Sequence, residues 1–150
     1  MAQKNFTDED LADLVQRVEN AAVAYINGDI GAYLTLIKHA DDYTLMQPFG
    51  GEATHGFDAS PERLDATARF FQGGEAKLEV AQIYTSGDLA VLVAVERQHG
   101  KVGGLPDQDW SLRVTLVFRR EGSEWRMAHR HADTLIHGMS LEQVAALARG

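Results

Sequence analysis

Apolar positions recur at helical spacing in the first part of the chain and at strand spacing in the second. Leu11, Leu14, Val15, Val18, Ala22, Tyr25 and Ile26 form one broad apolar face of a helix. Thr7 suits its N-cap, Asp10 falls at N3, and Phe6 and Leu11 are placed to close a hydrophobic staple. Asn27-Gly28 ends it. A second, short helix follows with Ile30, Tyr33, Leu34 and Ile37 inward. Asp41-Asp42 then breaks the pattern, and residues 43–47 read as a strand. Residues 48–60 are loop-like and glycine-rich. Ser60-Pro61 supplies an N-cap with proline at N1, which predicts a third helix to about Phe71, stopped by Gly73-Gly74.

From there the period changes to two. Residues 76–85 and 89–98 flank Ser86-Gly87-Asp88 as a hairpin, and residues 100–107 form a longer loop with three glycines and a proline. A second hairpin joins 110–120 to 125–134 across 121–124. Ser140, with Gln143 closing a capping box and Met139 and Val144 placed as a staple, starts a final short helix. Helices first and strands afterwards predict a single α+β domain over residues 1–150, its helices covering one face of a curved antiparallel sheet. A helix laid across a strongly curved sheet leaves space in the concavity, and such pockets are mainly apolar with a few polar groups.

Composition narrows the chemistry. At 150 residues the chain has the size of one domain, large enough to bury roughly two-thirds of its unfolded surface without staples. Zero cysteines exclude disulfides, thiolate metal sites and thiol nucleophiles. A net charge of −8 opposes nucleic-acid binding. Arg113, Arg119, Arg120, Arg126 and Arg130 nevertheless gather in the last hairpin, where cross-strand pairing with acids is the ordinary explanation. The opening MAQKNFTDED is polar and acidic, unlike a secretory leader. No apolar run approaches the roughly 20 residues that span a bilayer. A cytoplasmic protein with no membrane partner is expected.

The candidate chemistry lies on the last strand. Unbroken alternation over 125–133 puts Trp125, Met127, His129, His131 and Asp133 on one face and Arg126, Ala128, Arg130 and Ala132 on the other. The first set is taken as the pocket wall. In residues 89–98, Ala90, Leu92, Ala94 and Glu96 share a face, small residues followed by a carboxylate. Register leaves two alternatives for the wall between them. A two-residue turn at Gly122-Ser123 sets His131 opposite Val114. A longer turn or a bulge slips the pairing by one, so that Arg113 and Thr115 join the histidines and Leu112, Val114, Leu116 and Phe118 turn outward.

Asp133 would orient His131 as a general base, although a strand-end aspartate also caps turns. Glu96 and Arg113 would form a buried ion pair. Trp125 suits ordinary core packing as well as a ligand wall. Tyr43, Met46, Phe49, His55 and Phe57 come from the strand and loop near the mouth and are candidate lining residues. His39 and His99 are expected to be exposed and receive no role. The His-x-His spacing with Glu96 or Asp133 lacks a full ligand set, so no metal is assigned. Nothing matches a phosphate loop, a nucleophile elbow or a dinucleotide fingerprint, and no cofactor is called for.

The strings PFGGEATHG, GDLAVLVAVER and LRVTLVFRREGSEWRMAHRHAD resemble the SnoaL-like branch of the nuclear-transport-factor-2-like superfamily over nearly the whole chain. The tryptophan followed by a His-x-His strand end is the most specific element. The resemblance implies a cone-shaped curved sheet with helices in its concave face, commonly dimeric, and a Glu96 that faces the pocket. The slipped register would bring Arg113 to Glu96 and give the apolar convex face that such dimers use, and it is preferred. The superfamily includes polyketide cyclases, ketosteroid isomerases and dehydratases, and also the non-enzymatic association domain of calcium/calmodulin-dependent kinase. Fold is therefore implied more firmly than function.

Two functions follow from this. In the first, a cofactor-independent isomerase, cyclase or dehydratase moves a proton on an apolar carbonyl substrate. His131 is the base, Asp133 orients it, and Arg113 or His129 steadies the enolate. The Asp base, Tyr and protonated Asp of ketosteroid isomerase are not evident in this chain. In the second, a non-catalytic homodimeric domain holds a small apolar or carboxylate-bearing ligand.

Overall fold

The computed structural model describes residues 6–150. Helix α1 (Asp8–Ile26) starts where the Thr7 hydroxyl accepts from the Asp10 amide and the Asp10 carboxylate accepts from the Thr7 amide, a complete capping box. It buries Leu14, Val18, Ala21 and Ala24. Helix α2 (Ile30–Leu36), capped by Asp29, buries Ile30 and Tyr33. Helix α3 (Pro61–Phe70) is capped by Ser60 with proline at its start, and α4 (Leu141–Arg149) carries the expected Ser140–Gln143 box.

Seven strands make one sheet: β1 (Lys38–Met46), β2 (Thr54–His55), β3 (Phe71–Ser86), β4 (Leu89–Val102), β5 (Gln108–Asp109), β6 (Leu112–Glu121) and β7 (Glu124–Thr134). Their order is β2-β1-β7-β6-β4-β3, with β5 on the end of β4. All pairings are antiparallel except β1 with β7, which is parallel. The sheet is curved and unclosed, and with its helices it is an α+β cone. Strand β3 begins directly after α3, because the Gly73-Gly74 pair serves the sheet and not a loop. A Cβ on Gly74 would collide with the His99 carbonyl across the β3–β4 ladder.

The core lies between α1 and the concave face of the sheet. Leu14, Val18 and Ala21 meet Ala90, Leu92 and Ala94 of β4, Val114, Leu116 and Phe118 of β6, and Met127 and Ala132 of β7. Two polar ties fix the helix on β3: Glu19 accepts from the Leu78 amide at 2.8 Å, and the Asn27 side chain bonds both the amide and the carbonyl of Gly74. At Gly28 (φ +71°) the chain leaves α1 so close to α3 that an added Cβ would strike the carbonyls of Ala68 and Phe71. Only glycine meets both demands.

The last hairpin decides the site. Glu121 pairs with Glu124, so the turn holds two residues, Gly122 and Ser123. The pairing then slips inside the strands: Phe118 opposes Met127 but Val117 opposes His129, leaving Ala128 as a bulge. Beyond it His131 pairs with Thr115, Ala132 with Val114 and Asp133 with Arg113. This is the slipped register, but with its faces reversed. Val114, Leu116 and Phe118 point into the core and are at most 3% exposed. The expectation that they and Leu112 turn outward is corrected. Burying that apolar row against α1 outweighs exposing it, and the bulge lets β7 follow.

Candidate functional site

Between α1, α2 and the concave face lies a cavity of about 520 Å³. Its walls are mostly apolar: Val18 and Ala21 from α1, Ile37, Leu45, Phe57, Phe71, Leu116 and Met127, with Pro48 and the largely exposed Phe49 from the β1–β2 loop. Gln47, Gln98, Gln108, Asp109, Ser111 and Thr134 add polar lining, and an ion pair lies among the walls. Glu96, on the inner face of β4, and Arg130, two strands away on β7, reach over β6 to each other. The two terminal guanidinium nitrogens, Nη1 and Nη2, donate to the carboxylate, each at 2.8 Å. The Glu96 side chain is 5% exposed and that of Arg130 23%. Burial works against the Arg130 charge, but the facing Glu96 carboxylate more than compensates and holds the guanidinium firmly protonated.

Three tyrosines from three elements surround this pair. Tyr25 (α1), Tyr33 (α2) and Tyr43 (β1) all line the cavity. Burial raises all three phenols above their ordinary range, Tyr43 to about 12, with Arg130 partly offsetting the effect in each. They are neutral hydrogen-bond donors at physiological pH. Among the described residues the Tyr25 and Tyr43 hydroxyls have no side-chain or backbone partner, and no buried side-chain polar atom is left unsatisfied. Both oxygens therefore keep accessible surface, on residues that line the cavity.

The Tyr33 hydroxyl is bonded to His39 Nε2 at 3.0 Å. His39 is half-buried, stacks on Phe57 with ring centroids 4.0 Å apart and an interplanar angle of 7°, and packs on Tyr43 at 4.7 Å. Burial lowers its pKa to about 4, so the ring is neutral.

Of the residues singled out from sequence for the pocket, Glu96, Met127, Tyr43, Phe49 and Phe57 line the cavity. His129, His131, Asp133, Arg113 and Thr115 come together too, but on the opposite, convex face. His131 Nε2 lies 3.0 Å from an Asp133 carboxylate oxygen, and His129 Nδ1 is bonded to the Thr44 hydroxyl at 2.7 Å. Their expected orientation toward the pocket is corrected, for the bulge at Ala128 inverts the alternation beyond Met127. Arg130, Ala132 and Thr134 take the inner positions instead. Glu96 accordingly pairs with Arg130 and not Arg113. Met46, paired with His131, is 43% exposed on the outside and does not line the cavity. Trp125 packs against the core and is covered by Phe6 (4.6 Å) and Arg120 (5.3 Å), away from the cavity. His55 is exposed on β2. Among the described residues no group of three or more His, Asp or Glu side chains is arranged to hold a metal.

Sequence reading missed Arg130, Tyr25, Tyr33 and His39. One signal was available for the first. A carboxylate at the end of the buried Ala90-Leu92-Ala94 row needs a cation on the same face, and the last hairpin offers several. Most of those arginines do pair with acids, though not across neighbouring strands: Arg119 with Asp42 of β1, Arg120 with Asp10 of α1, and Arg126 with Glu124 of its own strand.

A helix-filled, unclosed cone with one cavity-facing ion pair defines a small-molecule-sized pocket on an NTF2-like scaffold. The SnoaL-like domain family matches residues 14–136, and the chain belongs to that family. Solved structures agree on the fold. One is a proposed dehydratase of the NTF2-like family from Streptomyces avermitilis, with TM-score 0.66, 21% identity, and coverage of 86% of this chain and 98% of that one. Another is an NTF2-like superfamily protein from Salmonella enterica serovar Typhimurium, with TM-score 0.67, 16% identity, and coverage of 87% and 94%. A third is the CamKII hub homology domain of Chlamydomonas reinhardtii, with TM-score 0.60, 18% identity, and coverage of 84% and 98%. Comparison with curated proteins finds no match. No helix among the described residues is long and apolar enough to cross a membrane.

Proposed function

We propose that the cavity binds a small, mainly apolar, uncharged carbonyl compound and moves a proton on it without a cofactor, as isomerases, cyclases and dehydratases do. The observation that carries this reading is the buried Glu96 carboxylate in a mainly apolar cavity that three neutral tyrosines also line. Glu96 is the proton acceptor. Tyr25 and Tyr43 donate to the carbonyl oxygen and stabilise the enolate, since fixed donors in a dry site act most strongly where charge develops. Arg130 is already neutralised by Glu96, so a carboxylate-bearing ligand would have to displace Glu96 from it, and uncharged ligands are preferred. The convex face, with Val91, Val93, Val95 and Val117 half-buried around His129 and His131, is proposed as the homodimer surface.

A second reading is supported by the ion-pair geometry. Both Glu96 oxygens are engaged by Arg130, which weakens a base, so the domain would bind ligand without turnover. The two readings separate on 2-tetralone, an apolar ketone with acidic α-protons. Thermal shift reports binding, because a native-state ligand raises apparent stability. NMR in D₂O reports exchange at the α-carbon. Catalysis predicts exchange that falls about 10²-fold or more in Glu96→Gln with binding retained. Stabilisation with no protein-dependent exchange establishes the binding reading, and neither effect rejects the pocket assignment.

A further inference from the structure

We propose that His39 is a positioning residue which turns the Tyr33 hydroxyl into a hydrogen-bond acceptor, so that the cavity selects ligands carrying a hydroxyl group. This role rests on the pocket reading above and goes beyond it by naming the group that the ligand must present.

Tyr33 and His39 are both neutral. The Tyr33 oxygen and His39 Nε2 are 3.0 Å apart, and one proton lies between them. A phenol is the better donor of the two and an unprotonated imidazole nitrogen the better acceptor. The stronger arrangement has Tyr33 O–H donating to a bare Nε2, with the ring proton on Nδ1. His39 is held in place for this. Phe57 stacks flat on it and Tyr43 packs on its other flank, while burial keeps it neutral. With its proton committed to His39, the Tyr33 oxygen presents only lone pairs to the cavity that it lines.

Tyr25 and Tyr43 differ, because their hydroxyls have no protein partner among the described residues and are free to donate. Among the three tyrosines the cavity thus offers two donors and one acceptor, beside the Glu96–Arg130 pair and the polar lining of Gln47, Gln98, Gln108, Asp109 and Ser111. A ligand that satisfies it carries a carbonyl for Tyr25 or Tyr43 and a hydroxyl that donates to Tyr33. Hydroxy-ketones carry both groups, phenols and enols supply the hydroxyl, and simple ketones or ethers bind without the bond to Tyr33. An unmet lone pair on a buried phenol, left when an ether replaces a hydroxyl, lowers affinity by the desolvation cost of that group.

Two measurements test this. The first needs no variant: the ¹⁵N chemical shifts of His39 in the full chain should show a protonated Nδ1 and a bare Nε2 at neutral pH. A protonated Nε2 would overturn the proposal. The second compares 2-naphthol with 2-methoxynaphthalene, equal in shape but for the lost donor. The wild-type chain should bind the naphthol about 10-fold more tightly. That preference should vanish in His39→Phe, which releases the Tyr33 proton, and return in part in His39→Gln, whose amide oxygen can accept it. Equal wild-type affinities, or an undiminished preference in His39→Phe, overturn the role of His39 while leaving the pocket intact. Failure of both naphthalenes to bind overturns the pocket reading together with this one.

Discussion

Arg130→Met isolates the interaction at the centre of the cavity. It removes the only cation bonded to Glu96 among the described residues and leaves a carboxylate that is 5% exposed without a counter-ion. Breaking one side of a buried pair typically costs about 3–5 kcal/mol, because the surviving charge is still desolvated. For a chain of 150 residues, each kcal/mol moves Tm by about 2–4 °C, so a fall of roughly 10 °C is expected. Methionine keeps much of the arginine stem's packing, which separates charge from volume. The double variant Glu96→Leu/Arg130→Met removes both charges, and its stability should return to within about 1 kcal/mol of wild type or exceed it. Urea denaturation followed by tryptophan fluorescence measures both. The destabilisation should be nearly the same at low and high salt, since a pair shielded from solvent is little screened. A loss below about 1 kcal/mol in Arg130→Met, or a double variant no more stable than the single one, would refute the reasoning.

His131→Ala should leave 2-tetralone binding unchanged, because the side chain lies on the convex face, and should shift light-scattering mass toward monomer. A cavity affinity that collapses would contradict the placement. His99 is bonded to Asp107 at 3.0 Å and Glu75 at 3.4 Å, and these bonds raise its pKa above the ordinary histidine value. The stability this adds is fully present below the unfolded pKa and is lost as pH rises through the higher folded one. The wild-type advantage over His99→Gln in urea midpoint should therefore be greatest in mild acid and fade above neutrality; an advantage that grew with pH would have the wrong sign. Gly28→Ala combines a left-handed backbone with collisions against the Ala68 and Phe71 carbonyls and should cost about 2–4 kcal/mol. Gly51→Ala, also at positive φ but with open space around it, should cost only about 1 kcal/mol in the same denaturation assay.

The helices were legible because their signals are local. Thr7 with Asp10, Ser60 with Pro61, and Ser140 with Gln143 mark starts that depend on adjacent residues only, and each is a cap in the structure. Glu96 was legible because strand β4 alternates without interruption from Ala90 to Glu96, so its burial follows from its neighbours. The parallel pairing of β1 with β7 was not, since it joins segments far apart in sequence through contacts with no local signature. Tyr25 and Tyr33 were read as apolar positions on helix faces, which they are; their second role depends on a cavity that only the assembled cone creates. His39 was expected to be exposed and given no role, yet β1 starts at Lys38 and carries its ring under Phe57.

The bulge at Ala128 explains both the arginine that was missed and the histidines that face outward. Two polar sets compete for the inside of one strand: His129, His131 and Asp133 at odd positions, Arg130 and Thr134 at even ones. Strict alternation from the buried Met127 would send the histidines inward beside Leu116 and Val114, placing two imidazoles and a carboxylate against an apolar row. It would also leave Glu96 buried with no arginine on its face. One extra residue reverses the outcome. Met127 stays in the core, Arg130 reaches Glu96, and Ala132 closes against Val114 with no exposed surface. The same step carries His131 and Asp133 outward together, 3.0 Å apart. The local cost of a bulge is an unpaired residue and a kinked ladder, whereas an unpaired buried carboxylate costs several kcal/mol. Avoiding that heavier penalty sets the register, and with it which side chains of the strand face the cavity and which face outward.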